Sequence, residues 1–418
     1  MTARPPRSPG FTLIELLVII AILSTVTLLA FNVSTDDRAQ LRYNDTRLRL
    51  DTLERAILGR LGPAETALAG GFVADNGRLP ASVAELVSDG FADVTIREKG
   101  KYGVKIPIFD ARPDATTCAN DGTESGGGET RLYDAAATTP HDNDAALLVK
   151  GHRSNYLGGL AFNGRFRDGW GNENVDTAED GKNFGWGWSF DASVPQQLTI
   201  KSLGADNVAD KVTGSGDDGD EGDDADGDAD SARADNAYDY TADVGATILP
   251  SDWRVPLGGW TIRVTNRTGK DFKANLSASL LVFQNDAAGG HWRRYSTPAS
   301  GVVCLDGDGD GLNIGASSDP CPQVTLSFPP NEKCHASATD SSTEAWIPQG
   351  RHLLVLVNHD SSGNDSIEFS WPNGNITYLS PSDPPDPLPD LSFTNPRVVT
   401  QITAVAGMPL PEARLEIR

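Results

Sequence analysis

Between Phe11 and Phe31 the chain reads FTLIELLVIIAILSTVTLLAF, and no other segment constrains its folding as strongly. As a helix rising about 1.5 Å per residue, this run matches the roughly 30 Å hydrocarbon thickness of a bilayer. It follows a short basic segment, Met1 to Gly10, carrying Arg4 and Arg7 and no acid. That charge bias keeps the N-terminus cytoplasmic and sends the rest of the chain outward. A secretory signal peptide has a shorter apolar core followed by a small-residue cleavage site, and neither is found here. A plain anchor explains the length of the run but not Glu15, because a carboxylate inside such a stretch is costly and points to function.

The stretch Ser8-Pro9-Gly10 followed by FTLIELLVIIAIL resembles the N-terminal signal of type IV prepilins. The resemblance implies cleavage between Gly10 and Phe11 by a prepilin peptidase, then N-methylation of Phe11. Glu15 becomes the fifth residue of the cleaved chain, where it would pair with the Phe11 amine of a neighbouring subunit and set filament register. The implied location is the bacterial inner membrane, single-pass, with the C-terminal part periplasmic until assembly into a filament. Filament-forming pilins often carry a proline about twenty residues into the cleaved chain. Here Phe31-Asn32-Val33 stands there, so the resemblance does not extend to a local melting of the helix.

Beyond the apolar run, Leu50, Leu53, Ile57 and Leu61 recur at helical steps. The spacing predicts one helix over 11–62, with its transmembrane part at 11–31, stopped by Gly62-Pro63. A head over 63–204 follows. It contains Asp75-Asn76-Gly77-Arg78-Leu79-Pro80, then SVAELV at 82–87, Tyr156-Leu157, and Asp168-Gly169-Trp170-Gly171-Asn172. These segments resemble the major pseudopilin of type II secretion systems. The family pattern's two prolines are Gly169 and Glu173 here, and its tyrosine is Asn174. Trp170 is expected to anchor the start of a small antiparallel sheet. The stretch 96–153, which holds Cys118, reads as an inserted surface loop.

Ser202-Leu203-Gly204-Ala205-Asp206, with Glu221 to Asp226 downstream, resembles the calcium loop of the same family. Carried over by residue, calcium would be held by the Leu203 carbonyl and the carboxylates of Asp206, Asp224 and Asp226, with Asp223 in addition. Calcium takes six to eight oxygen ligands on flexible loops. The acidic segment 205–237 is longer than the family's loop, and its other reading is a solvated linker. The implied partners are the same chain and other pseudopilins in a filament, together with an inner-membrane assembly platform.

From about Tyr238 short apolar runs alternate with turn residues, which predicts a β-sandwich over 238–380. A Pro-rich linker and a terminal strand follow over 381–418. Asp306, Asp308 and Asp310 alternate with glycine, as at the start of a calcium loop, although position twelve is Ser317 rather than glutamate. The four cysteines, Cys118, Cys304, Cys321 and Cys334, form no CxxC pair and read as disulfide candidates with three possible connectivities.

The formal net charge of −23 disfavours nucleic acid as a partner. No histidine stands in a zinc-ligand pattern, and no nucleophile or phosphate-loop motif is present, so a catalytic role is not expected. His352 reads as a polar group at a strand end. The expected architecture is α+β: a long N-terminal helix on a small pilin-type head with an antiparallel sheet, plus a C-terminal β-sandwich. The expected role is a structural subunit of a secretion pseudopilus. The alternative is a minor subunit of a surface pilus whose C-terminal domain is an adhesin.

Overall fold

The computed structural model describes residues 13–59, 70–87, 108–110, 119–120, 129–131, 148, 150–152, 155–191, 194, 196–204, 244–269, 271–286, 289–307, 323–329, 345–359, 365–367, 369, 377–378 and 398–418. Helix α1 (Leu13–Leu58) has 46 residues and is therefore about 69 Å long. It stops one turn before the expected Gly62-Pro63. Gly59 adopts φ +80°, and its N–H donates to the Arg55 carbonyl at 2.8 Å, closing the last turn. Among the described residues no helix is long and apolar enough to cross a membrane. The expected crossing includes residues 11–12 and the side chains at 26 and 28–31, which lie outside the description.

Two short helices follow, α2 (Gly71–Asn76) and α3 (Val83–Val87). Gly77 caps α2 with φ +70°, a left-handed conformation that glycine adopts without steric cost. In the insertion, β1 (Ile108–Asp110) pairs antiparallel with β3 (Glu129–Arg131), while β2 (Ala119–Asn120) joins a larger sheet described below. The end of the insertion is not a surface loop: Leu148, Lys150 and His152 are buried.

The head is built on the outer half of α1. Leu50, Leu53 and Ile57 are buried against Phe72, Val83, Leu86, Trp186 and Ile200. Each such side chain contributes about 1.5–3 kcal/mol through burial. Helix α4 (Thr177–Asn183) is capped by the Asp176 carboxylate, which accepts from the Ala178 N–H. It leads into the antiparallel sheet β4 (Trp186–Phe190), β5 (Leu198–Ser202) and β6 (Val244–Ile248). Residues 244–248 therefore belong to the head and not to the C-terminal domain, as composition had placed them. After the acidic segment the chain returns to add the third strand.

The C-terminal domain packs two sheets over one core. The larger is centred on β9 (Phe272–Asp286), and the smaller has β8 (Thr261–Asn266) in its middle. In chain order the remaining strands are β7 (Arg254–Pro256), β10 (Gly289–Ser296), β11 (Val302–Leu305), β12 (Val324–Ser327), β13 (Trp346–Pro348), β14 (Gly350–His359), β15 (Asp365–Ser366), β16 (Thr377–Tyr378), β17 (Val399–Ala404) and β18 (Ala413–Ile417). Strand β9 pairs with β14 on one side and β10 on the other, and β2 adds to β10. Leu280, Val282 and Leu354 of this sheet meet Ile262, Val264, Leu326 and Leu415 of the other. The terminal strands are integral parts of the sandwich. Strand β17 pairs with β14, and β18 runs parallel to β8, the one departure from an antiparallel plan among the described pairings.

The two domains are directly bonded. Asn285 Nδ2 donates to Asn76 Oδ1 at 3.1 Å, and Arg78 Nε donates to the Asn285 carbonyl. Gln349 Nε2 donates to the Leu58 carbonyl at 2.5 Å, and on the head side of the junction Lys150 Nζ donates to the Ala74 carbonyl at 2.6 Å. A Cβ on Gly77 would overlap the Phe283 carbonyl, and one on Gly350 would crowd Ala74. His352 is not a strand-end group. It is buried, donates from Nε2 to the Pro348 carbonyl at 2.8 Å, and is held at a pKa of about 3 by burial and by the Lys150 charge.

Candidate functional site

The first region of interest is the start of α1. Glu15 stands in its first turn and is exposed, as are Leu13 (81%), Ile14 (72%), Leu16, Leu17 and Ile20. An isolated helix with apolar side chains on every side lacks the polar face of a surface helix. Its few hydroxyls are satisfied internally. Ser24 Oγ donates to the Ile20 carbonyl at 2.7 Å, Thr25 Oγ1 to Ile22 at 2.8 Å, and Thr27 Oγ1 to Leu23 at 2.6 Å. Such back-bonding removes the cost of placing a hydroxyl in apolar surroundings. Gly10 and Phe11 lie outside the described residues.

The second region is a turn that joins two of the head motifs, Asp168–Asn172 and Ser202–Gly204. Asp168 is buried, and its Oδ1 accepts from the N–H groups of Trp170 (3.1 Å), Gly171 (2.7 Å) and Asn172 (3.0 Å). Its Oδ2 accepts from Asn172 Nδ2 at 2.9 Å and from Ser202 Oγ at 2.5 Å. Asn172 Nδ2 also donates to the Gly204 carbonyl at 2.9 Å. One carboxylate thus ties the Asp168–Asn172 turn to the end of β5, where the acidic segment leaves the head. Sequence reasoning fixed on Trp170 and overlooked Asp168. The available signal was an aspartate preceding Gly-x-Gly-Asn, since Asp side chains close turns on the backbone that follows them.

Trp170 does not anchor the sheet. It lies near α1, with the Arg42 guanidinium 5.9 Å from its ring centre. The sheet is anchored instead by Trp186, fully buried, whose Nε1 donates to the Phe166 carbonyl at 2.9 Å. The departures from the pseudopilin pattern have local causes. Gly169 donates its N–H to Thr46 Oγ1 at 3.0 Å, and a Cβ there would overlap the Arg42 carbonyl, so proline cannot occupy this site. Glu173 sits 3.2 Å from Arg167, and Asn174 accepts from the Gly185 N–H at 2.7 Å. Arg167 forms a two-pronged pair with Asp180 at 2.8 and 2.9 Å. That hydrogen bond holds the Asp180 carboxyl below its usual range.

Of the residues assigned to calcium by resemblance, Leu203 is described, and Asp206, Asp223, Asp224 and Asp226 lie outside the described residues. Leu203 sits between Ser202 and Gly204, both locked by the Asp168–Asn172 turn, so its carbonyl starts from a fixed backbone. In the second loop, Asp306 is described, and Asp308 and Asp310 are not. Among the described residues no three histidine, cysteine, aspartate or glutamate side chains converge as a cation cage. Cys304 is in a disulfide. The other three cysteines, Cys118, Cys321 and Cys334, lie outside the described residues.

With this geometry in place, comparison with known families places a prokaryotic N-terminal methylation motif over residues 6–31. The motif covers Gly10, Phe11 and Glu15 and supports a prepilin-like, type IV pilin-like protein. No curated protein and no solved structure matches the chain.

Proposed function

We propose that this chain is a structural subunit of a type II secretion pseudopilus, or of a related pilus-like filament. It is trimmed by prepilin peptidase between Gly10 and Phe11, methylated on Phe11, and assembled from the inner membrane by its platform. The observation that carries the reading is the methylation motif at 6–31 continuing into an apolar helix that docks a separate head through its outer half. The role is mechanical rather than catalytic. Leu13 to Phe31 pack between subunits, and the Glu15 carboxylate meets the methylated amine of Phe11 on a neighbour.

Calcium fits the donor chemistry of this head. The Leu203 carbonyl, Asp206, Asp223, Asp224 and Asp226 would hold it, and a second ion would engage Asp306, Asp308 and Asp310. The ion supplies positive charge that orders an acidic segment, stabilising only the ordered form. The rigid junction with a large C-terminal sandwich also suits the second reading, a surface-pilus minor subunit that presents an adhesive domain.

The test is processing and export in the host. Gly10→Ala should leave the leader attached and abolish filament incorporation. Normal trimming would end the prepilin reading. With trimming intact in the parent, loss of exoprotein export on deletion supports the secretion role, and loss of attachment alone supports the pilus role.

A further inference from the structure

A second intersubunit contact follows from two surfaces of the head, one convex and one concave. The convex one is a two-residue hairpin. Phe162 and Arg165 exchange both backbone hydrogen bonds, at 2.9 and 3.0 Å, across Asn163 (φ +51°) and Gly164 (φ +74°). These positive φ values define the tight turn that suits strand twist, so the tip is stiff. On it Phe162 is 80% exposed and Leu160 61% exposed. Single exposed apolar residues are common and need no explanation. Here, however, the ring stands beside a cation that is weakly held. Arg165 approaches Asp180 only to 3.8 Å, because Arg167 already occupies both oxygens of that carboxylate.

The concave surface is a groove of about 370 Å³ between α1 and strand β6. Tyr43, Leu50, Val244 and Ala246 give it an apolar lining, and Asp51 and Glu54 give it an acidic one. Arg47 also lines it and lies over the Tyr43 ring, 5.8 Å from its centre. Burial, and then the like charges of Asp51 and Asp252, raise the Glu54 pKa, and the Arg55 charge offsets this in part. At this end the carboxylates of Asp51, Glu54 and Asp252 stand against the guanidiniums of Arg47 and Arg55, the latter 4.0 Å from Asp51, which leaves a net negative charge.

The two surfaces cannot meet within one subunit. The segment that carries the hairpin rests on the α1 face of Arg42, Thr46 and Arg49, through Gly169 and Arg167. The groove uses positions 43, 50 and 54 of the same helix. At about 100° per residue these lie roughly a quarter-turn or more around the helix. The match thus calls for a second molecule. A chain with 58 acids and 35 lysines and arginines repels its own copies unless basic points meet acidic ones.

We infer that the Phe162–Arg165 hairpin of one subunit seats in the α1–β6 groove of a second copy. The ring packs on Leu50 and Val244, and the guanidinium pairs with Asp51 and Glu54. The contact joins unlike surfaces, so it repeats head to tail and generates an open helical assembly rather than a closed dimer. It rests on the filament reading above and names a head contact within it.

The experiment places a photoreactive benzoylphenylalanine at position 162, and separately at position 17, in the full chain expressed with its assembly machinery. Irradiation at position 162 should link two copies, with the adduct mapping to peptides holding residues 43–54 or 244–246. Arg165→Glu should cut that adduct about tenfold or more, since like charges then face each other, and adding Glu54→Arg should restore most of it. Adducts between copies from position 17 without a groove adduct from position 162 would overturn the contact and leave the filament reading standing. No adduct between copies from either position would remove both. A groove adduct unaffected by Arg165→Glu would refute the ion pair on which the inference turns.

Discussion

Asn285 and Asn76, 209 residues apart in sequence, are joined by a side-chain hydrogen bond of 3.1 Å that ties the long strand of the sandwich to the end of helix α2. Asn76 Nδ2 meanwhile donates back to the Phe72 carbonyl at 3.0 Å. Both amides are buried, so neither can exchange this partner for water without opening the junction.

The junction is therefore expected to unfold with the domains it joins. Gly77→Ala puts a methyl group against the Phe283 carbonyl and strains a left-handed backbone. A loss of about 2–4 kcal/mol is expected, read as a lower denaturant midpoint or as a split of one unfolding transition into two. An unchanged midpoint would mean that the domains do not touch as described.

Removing the carboxylate at the turn should be costlier than removing a surface acid. Asp168→Ala leaves three backbone N–H groups and the Ser202 hydroxyl without their acceptor. A loss of about 3–5 kcal/mol is expected, as for other buried charged hydrogen-bond networks that lose one member. If calcium orders the acidic segment, this variant should also lose the calcium-dependent rise in melting temperature, because Gly204 is no longer held. A calcium response equal to the parent's would separate the turn from the loop.

The acid side of the stability profile should carry the Arg167–Asp180 pair. Asp180 has a depressed carboxyl pKa in the folded state, caused first by its hydrogen bond from Arg167. Its contribution is present above the ordinary carboxyl value and is lost as pH falls through the folded value. Asp180→Asn should flatten that part of the profile, measured as denaturant midpoint from pH 5 down to pH 2. His352 acts in a window that starts higher and overlaps this one. Its folded pKa of about 3 lies below the ordinary 6.5. Stability therefore declines as pH falls from near 6.5 towards 3, while the unfolded chain takes up a proton that the folded one refuses. NMR of the imidazole at pH 5 should find His352 neutral, and a protonated ring there would contradict its buried position.

Cys304 is disulfide-bonded, so reductant should destabilise the C-terminal domain by about 2–4 kcal/mol. Alkylation before reduction should leave Cys304 unmodified in a peptide map. Labelling of the native protein at that position would show a free thiol.

Much of this could be read from the chain because it is encoded locally. The apolar run, its glutamate and the methylation motif need no tertiary information, and Leu50, Leu53 and Ile57 declare their shared face by spacing alone. What stayed hidden depends on distant partners. Val244 to Ile248 follow an acidic stretch and look like the opening of a new domain. Only their pairing with Leu198 to Ser202 returns them to the head. The need for glycine at position 77 is set by Phe283. Strand β18 gives no sign in its own residues that it will run parallel to β8. Trp170 drew the eye as an aromatic, whereas the anchoring role falls to Trp186 through a carbonyl twenty residues earlier in the chain.

The junction between α2 and β9 has a consequence for how a filament built from this chain would behave under load. At this contact backbone meets backbone with only glycine between them, so among the described residues no flexible side chain there can absorb a pull or a twist. In such a filament, drag on the sandwich would pass to the stalk helix through Asn76 and the Gln349–Leu58 bond. Each subunit would then act as a lever rather than a tether.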